Sequence, residues 1–495
     1  MNPNITRFLT PIFERAASNQ QSSKNAALNL PAVEMLLAVT KAQSSTKKPP
    51  KIPLEFNGKD YVSFLLHINA GIEHGLMIQY LYAAYSLGGS QVPKEFQEKV
   101  RSWQEIILGI AKEEMGHFIS VQNILRLIGA SLNFGREDYP WDTPFYPFPF
   151  ALEPLTINSL AKYVFAESPE GWIDSEDDDA KEIKKIVKSQ TSDPHLVGAL
   201  FEVMLELIKD SEVISDDAFQ SHTYPYQAKF DEWGRGYRGG NRGNATGTEM
   251  KGSPDVLVMP LTCRDDAYNA LQQIAEQGEA PDLEGNAGSA SHFERFLFIY
   301  KEMKTVNATS WSPSRNVAVN PYITDATNDP NSLPSEDQIS DTKQDAITNP
   351  EAKLWGHLFN LRYRMLLNYL YHSFLLDDGL NSSGVKAPRG AIINATFGEM
   401  YNLRSIANIL VQTPLSNHSD KMAGPPFTIP YTLELPNGEH NRWRMHQDLL
   451  IASKKNIVEL LHISAENNHQ YLYSLRETDK KFIQQIDELT SPVVF

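Results

Sequence analysis

A glutamate and a histidine, three residues apart, interrupt the apolar face of a predicted helix over residues 100–128. Glu114 and His117 fill a gap in a stripe whose members recur at steps of three or four residues. The stripe consists of Trp103, Ile107, Ile110, Val121, Ile124 and Ile128. A carboxylate facing a core must be protonated, paired or bound to a cation. This spacing is the one used in carboxylate-bridged di-iron and di-manganese bundles, so it predicts a metal site.

Three other predicted helices each direct a carboxylate inward. Glu73 lies in the apolar stripe of a helix over residues 61–87, although it could also reach water from the edge of that stripe. Glu167 ends the stripe of a following helix, where a capping or solvent-facing role is the alternative. Glu279 continues the apolar side of a helix that starts at residue 265, and does so better than Glu276. Together they predict a carboxylate cluster between helices.

Two more side chains belong to this hypothesis. His292 begins the helix that follows Glu279, although a buried or capping histidine is the simpler interpretation of that residue alone. Tyr80 lies two turns along the helix from Glu73 and could donate a hydrogen bond near a metal. A buried tyrosine that only fills the core is the alternative.

The complete set predicts metal binding more strongly than any member does. Two divalent ions would neutralise four carboxylates, and oxygen and imidazole ligands without thiolate suit iron or manganese. We take Glu114 as a bridging carboxylate and His117 as a terminal ligand, and a site of this kind activates dioxygen. The predicted metal ligands are Glu73, Glu114, His117, Glu167, Glu279 and His292.

The overall composition limits the function. The net charge of −16 over 495 residues argues against wrapping of nucleic acid or of an anionic membrane. Cys263 is the single cysteine, which excludes an intrachain disulfide and cysteine-based zinc or iron–sulfur sites. The sequence contains neither a secretory leader pattern nor an apolar run of membrane-spanning length, so we expect a soluble, cytoplasmic protein.

The elements that must position these residues are predicted to be mainly helices, joined by long irregular loops. The predicted divisions are an N-terminal extension and linker at 1–55, a metal-binding bundle at 56–310, a linker at 311–350, and C-terminal helices packed on the bundle at 351–495. Two further Glu-x-x-His spacings occur among the C-terminal helices, Glu459 with His462 and Glu466 with His469. Inward carboxylates on neighbouring helices do not accompany them, so we interpret them as chance pairs.

Five segments, in this order, resemble a known family: IEHGLMIQYLYAAYSL, AKEEMGHFISVQNILRLIGA, FAESPE, IAEQGEA and SHFERF. They are similar to ferritin-like proteins related to the iminophenyl-pyruvate dimer synthases, which make chromopyrrolic-type acids in violacein, rebeccamycin and staurosporine assembly. The resemblance covers about residues 60–300. It implies a ferritin-like four-helix core and a role in oxidative natural-product chemistry, with the six predicted ligands on the family's acidic and histidine positions.

One departure from the standard di-iron pattern bears on the metal count. The second Glu-x-x-His is replaced by Glu279 and His292, split between a helix end and a helix start, so a single ion is an alternative to two. The leading hypothesis is an oxygen-dependent oxidase or oxygenase that acts on a small organic substrate. The alternatives are a haem-assisted imine-coupling enzyme and a non-catalytic metal-binding scaffold. The expected partners are the substrate and dioxygen, and a homodimer is considered as the assembly.

Overall fold

The computed structural model describes residues 6–17, 50–169, 171–188, 197–233, 258, 260–279, 290–308, 310–323, 344–377, 387–417, 419–430 and 432–490. The helices before the predicted linker are α1 (Gly58–Ser86), α2 (Gln97–Leu127), α3 (Ile157–Ala166), α4 (Asp178–Lys188), α5 (Val197–Lys209), α6 (Phe230–Trp233), α7 (Arg264–Glu279) and α8 (His292–Thr305). After it come α9 (Pro350–Ser373), α10 (Pro388–Leu410), α11 (Glu439–Ile463) and α12 (Glu466–Thr490). The prediction of a mainly helical chain is confirmed.

Helices α1 and α2 form the centre of the N-terminal bundle and pack along each other. Helix α1 starts where the side chain of Asn57 accepts a hydrogen bond of 2.9 Å from the backbone N–H of Asp60. Every member of the predicted apolar stripe of α2 is fully buried. Helices α3, α5, α7 and α8 pack around this pair or around one another, and α7 and α8 both contact α2. The core of the bundle is therefore continuous around the residues of chemical interest.

Capping boxes fix where two short helices begin. At the start of α3, Thr156 and Ser159 exchange side-chain-to-backbone hydrogen bonds of 3.1 Å and 2.8 Å. At the start of α8, Ser291 and Glu294 do the same at 3.2 Å and 2.9 Å. The cap at Ser291 makes His292 the first residue of α8. The local sequence thus determines which end of α8 carries the imidazole.

An aromatic loop follows α2 and covers one face of α1. Trp141 and Phe150 exchange two backbone hydrogen bonds of 3.0 Å and 2.8 Å, and both rings are buried. A Cβ atom placed on Gly75 would lie 2.7 Å from the Trp141 ring and 3.1 Å from the Phe150 ring. The absence of a side chain at Gly75 therefore lets this loop lie directly on the helix.

We expect Gly75→Ala to destabilise the protein by about 1–3 kcal/mol, because the added methyl overpacks the contact with both rings. Gly71→Ala is the matched control one turn earlier, where a Cβ would meet Trp141 at 3.8 Å, an ordinary contact. That change should be neutral or stabilising by up to about 1 kcal/mol, since alanine has the higher helix propensity. Denaturant unfolding of both variants checks this, and equal stabilities would contradict it.

The C-terminal helices α9 to α12 have a second, smaller core, which includes Tyr369, Ile392 and Trp443. They also contact the first bundle directly. The Tyr363 hydroxyl of α9 lies 2.5 Å from Nε2 of His74 on α1, and both residues are at most 1% exposed. The side chain of Arg136 also reaches this hydroxyl, at 3.3 Å. The C-terminal helices therefore contact the same helix that carries Glu73.

The described parts of the two predicted connecting regions are packed. In the predicted linker, β1 (Tyr322–Ile323) pairs in parallel with β2 (Ala346–Ile347), and Val317 and Ala318 are buried. In the N-terminal extension, residues 6–17 are helical and Arg15 forms an ion pair with Glu202 of α5. Residues 18–49 and 324–343 lie outside the described residues.

None of the described helices is long and apolar enough to cross a membrane. The chance Glu-x-x-His pairs of the C-terminal helices point largely away from the core, since Glu459, His462 and Glu466 are exposed and His469 is half-buried.

Candidate metal centre

Five of the six predicted ligands meet in the interior of the N-terminal bundle. Glu73 comes from α1, Glu114 and His117 from α2, Glu167 from the C-cap of α3, and His292 from the first position of α8. Each of them is at most 5% exposed. The bundle therefore brings together residues that are up to 219 positions apart in the sequence.

The five side chains form two groups that share one carboxylate. The first triad is Glu73, Glu114 and His117, and the second triad is Glu114, Glu167 and His292. His117 Nδ1 lies 3.0 Å from Glu114 Oε2 and 3.4 Å from Glu73 Oε2. His292 Nδ1 lies 2.8 Å from Glu114 Oε1 and 3.6 Å from Glu167 Oε2. Glu114 thus directs one oxygen into each triad, as a bridging carboxylate does.

Unpartnered atoms indicate that this arrangement suits cations. Glu114 Oε1 and His292 Nδ1 are buried and 2.8 Å apart, yet neither has a hydrogen bond of acceptable geometry to any described residue. Within each triad, one ligand atom from each residue lies within 4.8 Å of the other two. Three carboxylates with two neutral imidazoles offer the oxygen and nitrogen donors that iron and manganese accept. The residues present therefore fit two divalent ions.

Outer partners hold the two imidazoles in place. His117 Nε2 lies 2.9 Å from Gln277 Oε1, and His292 Nε2 lies 2.9 Å from Glu113 Oε2. Each Nε2–H therefore donates outward, which leaves the Nδ1 lone pair for the triad. Arg295 in turn donates to both oxygens of Glu113, one of them at 3.2 Å.

Tyr80 supports the second triad. Its hydroxyl donates a short hydrogen bond to Glu167 Oε1, while Glu167 Oε2 faces His292. Burial, together with Glu167 and Glu114, raises the pKa of the Tyr80 hydroxyl well above its ordinary value, so it stays protonated and acts as a donor. The rings of Tyr163 and Phe296 pack against it at 5.1 Å and 4.8 Å between centroids.

Protons balance the buried charge when no cation is bound. Burial raises the pKa of Glu73 to about 8, and it raises that of Glu167 with the help of Glu114. Burial alone would lower the pKa of His117, but the hydrogen bonds with Glu114 and Glu73 raise it to about 10. The pKa of His292 is likewise raised, against burial, by the surrounding carboxylates. Burial opposes a low pKa for Glu114, which His292 and His117 nevertheless hold well below its usual range. Binding of a metal ion by these groups would release the protons that they carry without it.

A small cavity adjoins both triads. Besides the ligands, its wall includes Ile72, Leu76, Tyr146, Val197 and Phe201. Its volume is about 30 Å³, which gives room for about two water molecules or for dioxygen. An aromatic substrate needs a pocket of roughly 300 Å³ or more, so its binding close to the triads would require this wall to open.

The remaining predicted residues have different outcomes. The side chain of Glu279 lies outside the described residues, so its predicted role as a ligand stays a prediction. Glu276 is exposed and accepts a hydrogen bond of 2.7 Å from Gln272. Glu113 and Gln277 were not predicted from the sequence. Glu113 does not belong to the apolar stripe of α2, and its inward position follows from the burial of this part of α2 on nearly all sides.

The family model described as ferritin-like matches residues 66–301, the segment that supplies all five described ligands. These residues, just under half of the chain, match the ferritin-like family model. The family resemblance of the sequence and the predicted ferritin-like fold are thereby confirmed. Ferritin-like domains usually bind metal between their helices, in agreement with the two triads.

Two relatives of the chain are biosynthetic enzymes. Dichlorochromopyrrolate synthase of Lentzea aerocolonigenes is 25% identical over 440 residues, which cover 81% of this chain and 39% of the synthase. The 2-imino-3-(indol-3-yl)propanoate dimerase of Chromobacterium violaceum is 29% identical over 164 residues, 27% of this chain and 16% of the dimerase. The chain thus spans about two-fifths of the length of the first relative and less of the second.

Among solved structures, a ferritin-like protein from Caulobacter vibrioides is similar to this chain. The TM-score is 0.39 and the sequence identity is 16%. The similarity covers 73% of this chain and 96% of that one.

Proposed function

We propose that this chain is a non-haem di-iron oxidase or oxygenase that uses dioxygen to oxidise a small organic metabolite. An aromatic or amino-acid-derived substrate in natural-product biosynthesis is the substrate class we favour, since both relatives are named for chromopyrrolate or indolyl imino acid chemistry. Manganese is the alternative metal. Catalysis, the substrate class and the metal are all parts of this proposal.

The shared carboxylate of Glu114 is the observation that carries the proposal. It is 1% exposed and directs one oxygen to His117 and the other to His292. When deprotonated to bind metal, the three described carboxylates would carry three negative charges, which two divalent cations would more than neutralise in the core. This balance explains why a stable bundle retains so many buried acidic groups.

The chain's own residues would hold, orient and shield the reacting centre. Bound ferrous ions would supply the electrons for the reduction of dioxygen. The outward-facing Nε2–H bonds of His117 and His292 keep both Nδ1 atoms directed inward. Tyr80 keeps Glu167 in one orientation. The apolar cavity wall, with Ile72 and Leu76, limits entry of water while leaving room for dioxygen.

An imine-coupling activity is the second candidate function. Its support is the dimerase, which is named for joining two imino acid molecules and shares 164 aligned residues with this chain. A haem-assisted version of this activity needs a haem, whereas the proposed oxidase needs iron ligated by carboxylates and imidazoles. A non-catalytic metal-binding scaffold is the third alternative.

Metal analysis and the visible spectrum of freshly purified protein separate these candidates. After iron-replete expression we expect about two irons per chain and no haem band, as a carboxylate-bridged pair requires. A haem band would favour the imine-coupling enzyme. Absence of metal would overturn the proposal, and bound metal without consumption of dioxygen would leave the scaffold. Loss of dioxygen consumption on removal of the iron by a chelator, with recovery on reloading, tests turnover.

We expect Tyr80→Phe to keep its metal but to consume dioxygen at least about tenfold more slowly, because Glu167 loses the donor that fixes its orientation. Tyr163→Phe is the matched control, since this tyrosine is also buried and its ring lies 5.1 Å from that of Tyr80. The measurement is oxygen uptake after addition of dioxygen to ferrous-loaded protein. Equal rates for the two variants would show that the Tyr80 hydroxyl is only a packing group.

A further inference from the structure

We propose that the two triads bind metal with unequal affinity and that Glu113, held by Arg295, makes the second triad the tighter one. This inference rests on the two-metal centre of the proposed function. It assigns a positioning role to residues that are not themselves ligands. The observation behind it is a difference between the outer partners of the two ligand imidazoles.

The two imidazoles receive chemically different support. His292 Nε2 faces a carboxylate oxygen of Glu113 at 2.9 Å, whereas His117 Nε2 faces an amide oxygen of Gln277 at the same distance. Glu113 is 6% exposed, while Gln277 is half-buried near the end of α7. The distances are equal, so the difference lies in charge and in burial.

The ionised state of Glu113 is secured by its own partner. Arg295 contacts both oxygens of this carboxylate, one of them at 3.2 Å, and so pairs its charge with a guanidinium. The Nε2–H of His292 therefore donates to an anion, which is a stronger acceptor than a neutral amide. An anionic acceptor makes the opposite nitrogen, Nδ1, a better metal ligand.

The second carboxylate of this triad is supported as well. Tyr80 donates to Glu167 Oε1, while Oε2 faces His292 Nδ1 at 3.6 Å and would be available to a metal ion. Both residues that belong only to the second triad, Glu167 and His292, are thus held by buried outer partners. Ligands fixed before binding lose less conformational freedom when the metal arrives, which favours the second triad further.

A purely structural role for Glu113 is the competing explanation, since an acidic residue and an arginine often pair between helices. That role predicts a change in stability and no selective change in metal binding. A carboxylate behind a metal-ligand histidine predicts a selective loss, typically about 10-fold to 100-fold in affinity. Two variants that exchange the acceptor type, Glu113→Gln and Gln277→Glu, distinguish the two explanations.

The test is an anaerobic titration of the metal-free full-length protein with Co²⁺. Calorimetry and visible absorption measure the binding at each addition. The parent should bind in two steps. Glu73→Gln should remove or weaken mainly the weaker step, and Glu167→Gln mainly the tighter one. Glu113→Gln should lower the affinity of the tighter step by about 10-fold to 100-fold and leave the weaker step within about twofold. Gln277→Glu should strengthen the weaker step.

Each other result overturns a defined claim. Two equal steps in the parent, or equal weakening of both steps by Glu113→Gln, would overturn the unequal affinities while leaving the two-metal centre intact. Loss of the tighter step in Glu73→Gln would assign that step to the first triad, and so would overturn the claim that the second triad binds metal more tightly. No binding by the parent would overturn the proposed function itself. If Glu113→Gln fails to fold, Gln277→Glu decides, and an unchanged weaker step then refutes the role of the acceptor.

Discussion

Replacement of Glu114 by alanine should abolish metal binding at both triads while the protein remains folded. Each triad contains one oxygen of this carboxylate, so its removal leaves one carboxylate and one imidazole on each side. A two-ligand site holds a divalent ion weakly, and the metal content should fall to background. Dioxygen consumption should be lost with it. The unfolding free energy of the metal-free protein should change by about 0.5–3 kcal/mol, the usual range for one substitution.

Metal analysis, circular dichroism and thermal unfolding of the metal-free proteins check this prediction. Glu276→Ala is the matched control, because it removes an exposed carboxylate from the neighbouring helix α7 and should leave metal and activity unchanged. If Glu114→Ala binds as much iron as the parent, the assignment of Glu114 as a bridging ligand is wrong.

Replacement of Arg362 by methionine should cause the largest loss of stability that the described structure leads us to expect, roughly 3–5 kcal/mol. The guanidinium is 1% exposed and bonds to Glu399 at 3.0 Å and to Asp479. Among the described ion pairs, removal of its charge leaves the two buried carboxylates without a cation. Urea unfolding at pH 7 measures the loss, and a change below about 1 kcal/mol would contradict it.

The pH dependence of this defect has a defined sign. Burial already raises the pKa of Glu399 with Arg362 present, and loss of the arginine should raise it further. A carboxyl whose pKa is higher in the folded state binds more protons there than in the unfolded state, so a lower pH favours folding. The loss of stability in Arg362→Met should therefore become smaller between pH 7 and pH 5. The triple variant Arg362→Met, Glu399→Gln, Asp479→Asn is the matched control. It should recover most of the lost stability, and no recovery would assign the loss to packing.

Much of the candidate centre can be predicted from the sequence, because a charged residue at a buried position stands out in the apolar pattern of its helix. Glu73 and Glu114 lie within apolar helical stripes and Glu167 ends one, so the spacing favours an inward direction for each. The capping pattern of Ser291 and Glu294 likewise marks the start of the helix that carries His292. Periodicity within one helix could therefore point to these residues before any tertiary contact was known.

The outer partners could not be predicted in this way because they are defined by contacts between distant parts of the chain. Arg295 and Glu113 are 182 residues apart. Gln277 and His117 are separated by 160 positions. The apolar stripe of α2 does not include Glu113, which is inward only because this part of α2 is buried on nearly all sides. The positions of Glu113 and Gln277 become meaningful only once α7 and α8 are packed against α2.

The contact between His74 and Tyr363 has a consequence for protein engineering. Successive residues of α1 serve opposite purposes, since Glu73 faces the metal centre and His74 bonds to a C-terminal helix. A shortened chain that ends before α9 would expose the back of the ligand-bearing helix to solvent. Truncated variants that are meant to keep the candidate metal centre should therefore retain the C-terminal helices, which cover this side of α1.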